Sequence, residues 1–207
     1  MDYKNFLLRF VFSFLIIFTY FIISLLNFEM IIYLILIIYL LILLEVILYF
    51  KNLKFLLITY ILLSFITTFN ISFTIDEFLK FNYFILIIIT FDIFSYFFGK
   101  IFGKTKILQV SPNKTLEGFL GGLITTYVFC YIYLIYFNLK INFTLILITS
   151  LILIFAFIGD IIESFFKRKN YLKNSSNFIP GHGGVFDRFD SFLCSIIIYS
   201  FTSNFLL

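Results

Sequence analysis

Charge is what this chain has least of. Only 13% of its 207 residues are Asp, Glu, Lys or Arg, against roughly 25% in an ordinary soluble domain, so that class is excluded. Tryptophan is absent, and any aromatic belt at a membrane surface would have to be built from tyrosine alone. The two cysteines, Cys130 and Cys194, both fall inside apolar runs. They read as small buried hydrophobes rather than as a disulfide or a metal site. A single histidine, His182, leaves no Cys/His set for a soft or borderline metal. Period-two alternation of apolar and polar residues, the mark of a membrane barrel, is missing as well.

What the chain has is apolar length: 62% of residues are hydrophobic and the mean hydropathy is +1.11. Uncharged runs cover 10–28, 55–75, 118–139, 141–159 and 191–207; two more, 30–50 and 81–98, are interrupted by Glu45 and Asp92. A helix crosses the hydrocarbon with about 20 apolar residues. Lipid leaves no partner for open backbone, so continuous runs of this kind become helices. The expected fold is all-α: a polytopic membrane bundle of about seven transmembrane helices. The first run is too long for a signal peptide and is followed by no small-residue cleavage site, so it reads as the first span. Residues 1–82 read as scaffold and 83–207 as the catalytic transmembrane domain.

Lysine and arginine sort between alternate loops. Thirteen of the fifteen fall on one side of the predicted spans, and only Lys80 and Lys140 on the other. The positive-inside rule then places the N-terminus and the two long polar loops in the cytoplasm and the C-terminus outside.

Polar residues within the spans are candidates for function. Glu45 lies near the cytoplasmic end of its run, where it either has a role in the interior or snorkels towards Lys51. Asp76 and Glu77 read as solvated loop charges. Asp92, with Ser95 and Tyr96 on the same helical face, should turn towards other helices, water or a cation. The loop that follows carries Lys100, Lys104, Lys106 and Lys114 and no acid. In Ser111-Pro112-x-Lys114-Thr115-x-Glu117-Gly118, Ser111 or Thr115 can cap the next helix and Pro112 suits its first turn. That N-terminus favours an anion, with Lys114 aimed at a phosphate.

The densest polar stretch is 159–191, with four of the eleven acids, five of the fifteen bases and the histidine. Asp160, Glu163, Ser164 and Lys167 fall on one helical face, and Asp187 and Asp190 head the last span. If these helices are neighbours, three or four carboxylates converge and need a cation. Oxygen ligands alone point to Mg²⁺ or a similar hard ion. The glycines around His182 allow backbone amides to cradle a phosphate. Together these features fit phosphoryl or nucleotidyl transfer at a cytoplasmic membrane face.

At these residues the sequence resembles the phosphatidate cytidylyltransferase family. The signature appears as Ser164-x-x-Lys167-Arg168, Lys173-Asn174 and Pro180-x-His182-Gly183-Gly184-x-x-Asp187-Arg188-x-Asp190, preceded by Gly159-Asp160, the Ser111–Gly118 motif, and Asp92 with Tyr96 and Gly99-Lys100. The match covers residues 91–191. Asn174 stands where the family has Asp, Ile93 where a small hydroxyl residue is usual, and the N-terminal half looks short by a span or two.

The resemblance implies transfer of CMP from CTP to phosphatidate in phospholipid biosynthesis, in the inner cell membrane with the site facing the cytoplasm. It implies Asp160 and Asp187 as ligands of Mg²⁺, with a second, monovalent cation such as K⁺. Asp160, Asp187, Lys167, His182 and Arg188 become the catalytic set. Asp92, Lys114, Glu117, Ser164, Arg168, Lys173, Gly183, Gly184 and Asp190 become substrate contacts. CTP, phosphatidate and membrane lipid are the implied partners, with no nucleic acid and a homodimer left open. The rivals are a CTP-dependent synthase for an isoprenoid ether lipid phosphate, a degenerate membrane protein, and a transporter using Asp92 and Glu45. The last would more naturally show repeated halves, and none is seen.

Overall fold

The computed structural model describes residues 18–24, 27–71, 74–107, 111, 114–176, 178 and 183–206. Residues 18–24 are helical. They are followed by α1 (Ile31–Tyr49), α2 (Lys54–Phe69), α3 (Ile75–Phe102), α4 (Leu116–Tyr136), α5 (Phe143–Lys169) and α6 (Phe186–Thr202), with short 3-10 turns before α1 and after α6. Beyond these, Lys106 and Thr115 form an isolated bridge. The chain is an all-α membrane protein. The expected first span, 10–28, lies mostly outside the described residues. The proposed division at 82/83 falls within α3.

Four helical stretches, Ile31–Tyr49, Glu77–Phe102, Leu116–Tyr136 and Phe143–Lys169, are long and apolar enough to cross a bilayer. α2 has 16 residues and α6 has 17, close to the lower bound of about 17 for a span. The outward faces are as apolar as the interior: Leu48, Ile66, Ile93, Ile124, Ile135 and Ile154 are all exposed. A water-soluble monomer does not show apolar surface in every direction, so hydrocarbon is the medium of these faces and the protein is multi-pass.

Between helices in lipid, close packing and hydrogen bonds replace the hydrophobic effect. α3 runs along α4, α5 along α6, and α2 packs on α6. Small residues set the two main crossings. A Cβ at Gly118 would lie 2.7 Å from the Ser95 carbonyl oxygen of α3, and one at Gly159 would fall on the Asp190 carbonyl of α6. Neutral hydroxyls add interhelical bonds, Tyr39 to Ser64 at 2.5 Å and Tyr83 to Thr149 at 2.9 Å. Phe84 stacks on Tyr199 with ring centroids 4.5 Å apart.

One end of the bundle collects the polar connections. Asn170, just past α5, accepts from the Lys51 and Asn52 amides at 2.8 and 2.6 Å, and the Asn52 side chain donates to the Lys169 carbonyl at 2.8 Å. This latches the α1–α2 turn to the end of α5. Ser111 and Lys114 of the α3–α4 loop line a cavity with Asp187 and Arg188, so the lysine-rich loops meet at that same end, as their charge pattern predicts.

Candidate active site

Three helices and one loop bring charge to a cavity of about 320 Å³ at this end. α3 contributes Asp92, α5 contributes Asp160 and Glu163, and α6 contributes Asp187, Asp190 and Arg188; Lys114 enters from the loop before α4. Five carboxylates therefore face one space. Like charges that approach within a few ångströms repel by several kcal/mol at an intermediate dielectric, so such a cluster needs cations or protons to offset it.

Part of that offset comes from lysines. The Lys114 ammonium pairs with Asp160 and lies 4.9 Å from the Phe157 ring centroid, one turn earlier on α5. Burial pushes Lys114 down to about 8, against the opposing pull of Asp190, Asp92 and Glu163. Lys167 sits between Glu163 at 2.5 Å and Asp187 at 3.2 Å. Asp187 also accepts the amides of Ser175 and Gly184 at 3.1 Å. Gly183 beside it has φ +93, and a Cβ there would meet the Asp187 carboxylate at 2.6 Å. Both the backbone sign and the space demand glycine.

Ser191 joins the two walls. Its hydroxyl lies 2.9 Å from Asp160 Oδ1 and 3.1 Å from Asp92 Oδ1. One hydroxyl proton serves one carboxylate at a time, so only one member of the Asp92–Asp160 pair has that bond. Ser191 was not singled out from sequence. Its signal is its place one turn after Asp187 on the same helix.

Lys114 itself is held by a local device. The Thr115 hydroxyl accepts from the Gly118 amide at 3.2 Å and caps α4. Glu117 folds back on the loop, accepting the Lys104 and Thr105 amides at 3.0 and 3.2 Å and the Thr105 hydroxyl at 2.7 Å. Glu117 thus clamps the loop that carries Lys114, and it is not among the residues lining the cavity. α4 begins at Leu116; Pro112 lies outside the described residues.

The remaining expected residues divide. Ser164 lines the cavity. Gly183 and Gly184 border it through Asp187. Arg168 and Lys173 are exposed and lie outside its wall. His182 falls outside the described residues. Glu45 does not snorkel: it is fully buried.

A model of the cytidylyltransferase family matches residues 2–206. The chain belongs to this family. Among curated proteins, the phosphatidate cytidylyltransferase of Staphylococcus haemolyticus is 46% identical over 104 residues, 49% of this chain and 40% of that protein. That of Bacillus subtilis is 46% identical over 101 residues, 48% and 38% respectively. That of Staphylococcus aureus (strain COL) is 43% identical over 114 residues, 54% and 44%. The matched part of the chain spans about two-fifths of the length of these relatives. Membership in the cytidylyltransferase family agrees with the chemistry of the cavity, whose carboxylates and cations are the groups that phosphate chemistry uses.

Among the described residues, no three carboxylates come close enough to hold a metal ion unaided. The donor set still fits Mg²⁺. That ion takes one or two carboxylates and completes its shell with water and substrate phosphates, and Asp160 and Asp187 line the same cavity.

Proposed function

We propose that this protein is a phosphatidate cytidylyltransferase, converting CTP and phosphatidate to CDP-diacylglycerol and pyrophosphate. One observation carries the lipid half of that reading. A second cavity of about 270 Å³ lies beside the first, walled by Ile31, Ile35, Ile38, Phe81, Ile88 and Phe192, and it shares Asp92 and Arg188 with the charged one. A polar space that continues into an apolar slot suits a molecule with a phosphate at one end and an acyl chain at the other.

In this reading a phosphatidate oxygen attacks the α-phosphorus of CTP. A new P–O bond forms, the bond to the β-phosphate oxygen breaks, and pyrophosphate leaves with the electron pair. The attacking phosphomonoester is already ionised, so the protein's task is positioning and charge stabilisation. Arg188, at the junction of the two cavities, would orient the lipid phosphate. Lys114 and Lys167 would move from their carboxylate partners to phosphate oxygens. The Gly183 and Gly184 backbone, with His182, would border the triphosphate. Arg168 and Lys173 would meet it only at the rim. Asp160 and Asp187 would hold Mg²⁺, which supplies charge neutralisation at the α-phosphate when bound, with a monovalent cation such as K⁺ beside it. Asp92, Ser164 and Asp190 would complete the walls.

The lysine-rich end faces the cytoplasmic side of a cell membrane in this proposal, and the charge asymmetry of the loops supports that orientation. The test is incorporation of labelled CTP into chloroform-extractable lipid by the purified chain. Label that appears only with phosphatidate supports the proposal. Label that appears only with an isoprenoid ether lipid phosphate replaces the substrate, and no label with either overturns it.

A further inference from the structure

Glu45 belongs to neither cavity, yet it is the one charged side chain of α1 and is fully buried. A carboxylate in that position is among the costliest groups a membrane helix can carry. Its Oε2 accepts the backbone amides of Val185 at 2.8 Å and Phe186 at 3.1 Å. These amides open α6, where the residue preceding the helix provides no side-chain cap. The first amides of a helix have no partner within it. Glu45 supplies one from a helix far earlier in the chain.

The segment so held is the one that aims Asp187. Asp187 accepts the amides of Ser175 and Gly184, while Glu45 accepts the next two, Val185 and Phe186. The two carboxylates thus grip consecutive peptide units. Gly184 lets them close in, since a Cβ there would fall on both the Glu45 carboxylate and the Ser175 hydroxyl. Phe50, at the end of α1, meets the Phe186 ring edge-on at 6.0 Å, so the same helix holds this corner by packing as well.

We propose that Glu45 is a positioning residue for the transfer site: it caps α6 from α1 and thereby fixes where Asp187 and Asp190 enter the cavity. The proposal rests on the cytidylyltransferase reading for its functional consequence, but its structural consequence can be measured without turnover. Glutamine preserves the cap. Its carbonyl oxygen can accept both amides, and its NH₂ would face Ser175 Oγ, which together with Glu45 Oε1 is buried without a hydrogen-bond partner. Alanine removes the cap, and aspartate falls one methylene short.

The experiment compares the full chain with Glu45→Ala, Glu45→Asp and Glu45→Gln in lipid nanodiscs. Hydrogen exchange of peptides covering 183–190 is read by mass spectrometry, and CMP transfer is read against Mg²⁺ concentration. Removing the cap should speed exchange at 183–190 while peptides of α4 stay unchanged. It should also raise the Mg²⁺ needed for half-maximal transfer by about tenfold, the effect typical of a residue that orients a metal ligand. Glu45→Gln should stay within about threefold of wild type on both readouts. The proposal is overturned if Glu45→Ala leaves exchange at 183–190 unchanged, if it speeds exchange throughout the chain, or if Glu45→Gln behaves like Glu45→Ala. A wild-type chain that transfers no CMP would end the proposed function, while the exchange comparison would still decide the cap.

Discussion

Two polar neighbourhoods inside this bundle are built on different terms. Between α1 and α2, Tyr39 bonds Ser64 and Thr68, and Thr67 and Thr68 return their hydroxyls to the Ser64 carbonyl. Every group there is neutral, and the bonds close among themselves. At the loop end, five carboxylates surround a cavity, with Lys114, Lys167 and Arg188 as the nearby cations. The first arrangement is complete without a ligand. The second has an excess of negative charge and space beside it, so it is finished only when cations and phosphates arrive. Polarity inside a membrane therefore marks function when it is charged and open, and helix packing when it is neutral and closed.

That contrast can be broken most sharply at Asp160. Asp160→Asn should lower CMP transfer by about 10³-fold or more, as expected when a charge-organising group at a reaction centre is removed. The protein should still insert and elute as wild type in size-exclusion chromatography. Wild-type turnover would show that the charged cluster is packing after all. Lys114→Ala comes next. Its lost phosphate contact should raise KM for CTP about tenfold or more, given the ~1.5–3 kcal/mol typical of a hydrogen bond to a charged group; a change in kcat alone would move Lys114 off the nucleotide. Ser191→Ala should reduce turnover by roughly tenfold, the lower end for residues that orient metal ligands, and the added Mg²⁺ needed for half-maximal rate should rise with it. The smallest effect belongs to the closed cluster. Tyr39→Phe should leave CMP transfer unchanged and lower stability by ~0.6 kcal/mol, the mean for interhelical hydrogen bonds in membranes, read from denaturant unfolding in micelles. A large activity loss there would erase the distinction between the two neighbourhoods.

Much of this was legible because lipid simplifies the code. Continuous apolar runs had to be helices, and the helical spacing of Asp160, Glu163, Ser164 and Lys167 placed most of one wall. Loop charge correctly put the segments around Lys114 and Asp187 at the same end. Two of the illegible parts involve backbone partners. The resemblance implies Glu117 as a substrate contact, and in the structure its carboxylate holds the amides of Lys104 and Thr105. Glu45 looked able to reach the interface, but it is bound to amides at the head of α6. Peptide N–H groups occur at nearly every residue, so no sequence pattern announces which of them a buried acid will find. The start of α6 was legible: the uncharged run begins only at 191, but helical spacing puts Asp187 and Asp190 at the head of the last span, and the helix begins at Phe186.

The span of chain between Glu45 and its amides has a temporal consequence. The two are 140 residues apart, and at about 5–20 residues per second a ribosome needs roughly 7–28 s to make the intervening chain. During that interval α1 resides in the bilayer with an acid whose final partner has not yet been made. Its other eighteen residues are uncharged, and its mean hydropathy of 3.1 exceeds that of the other three long spans. The greasiest helix of the four is thus the one that must wait longest for its last helix to be born.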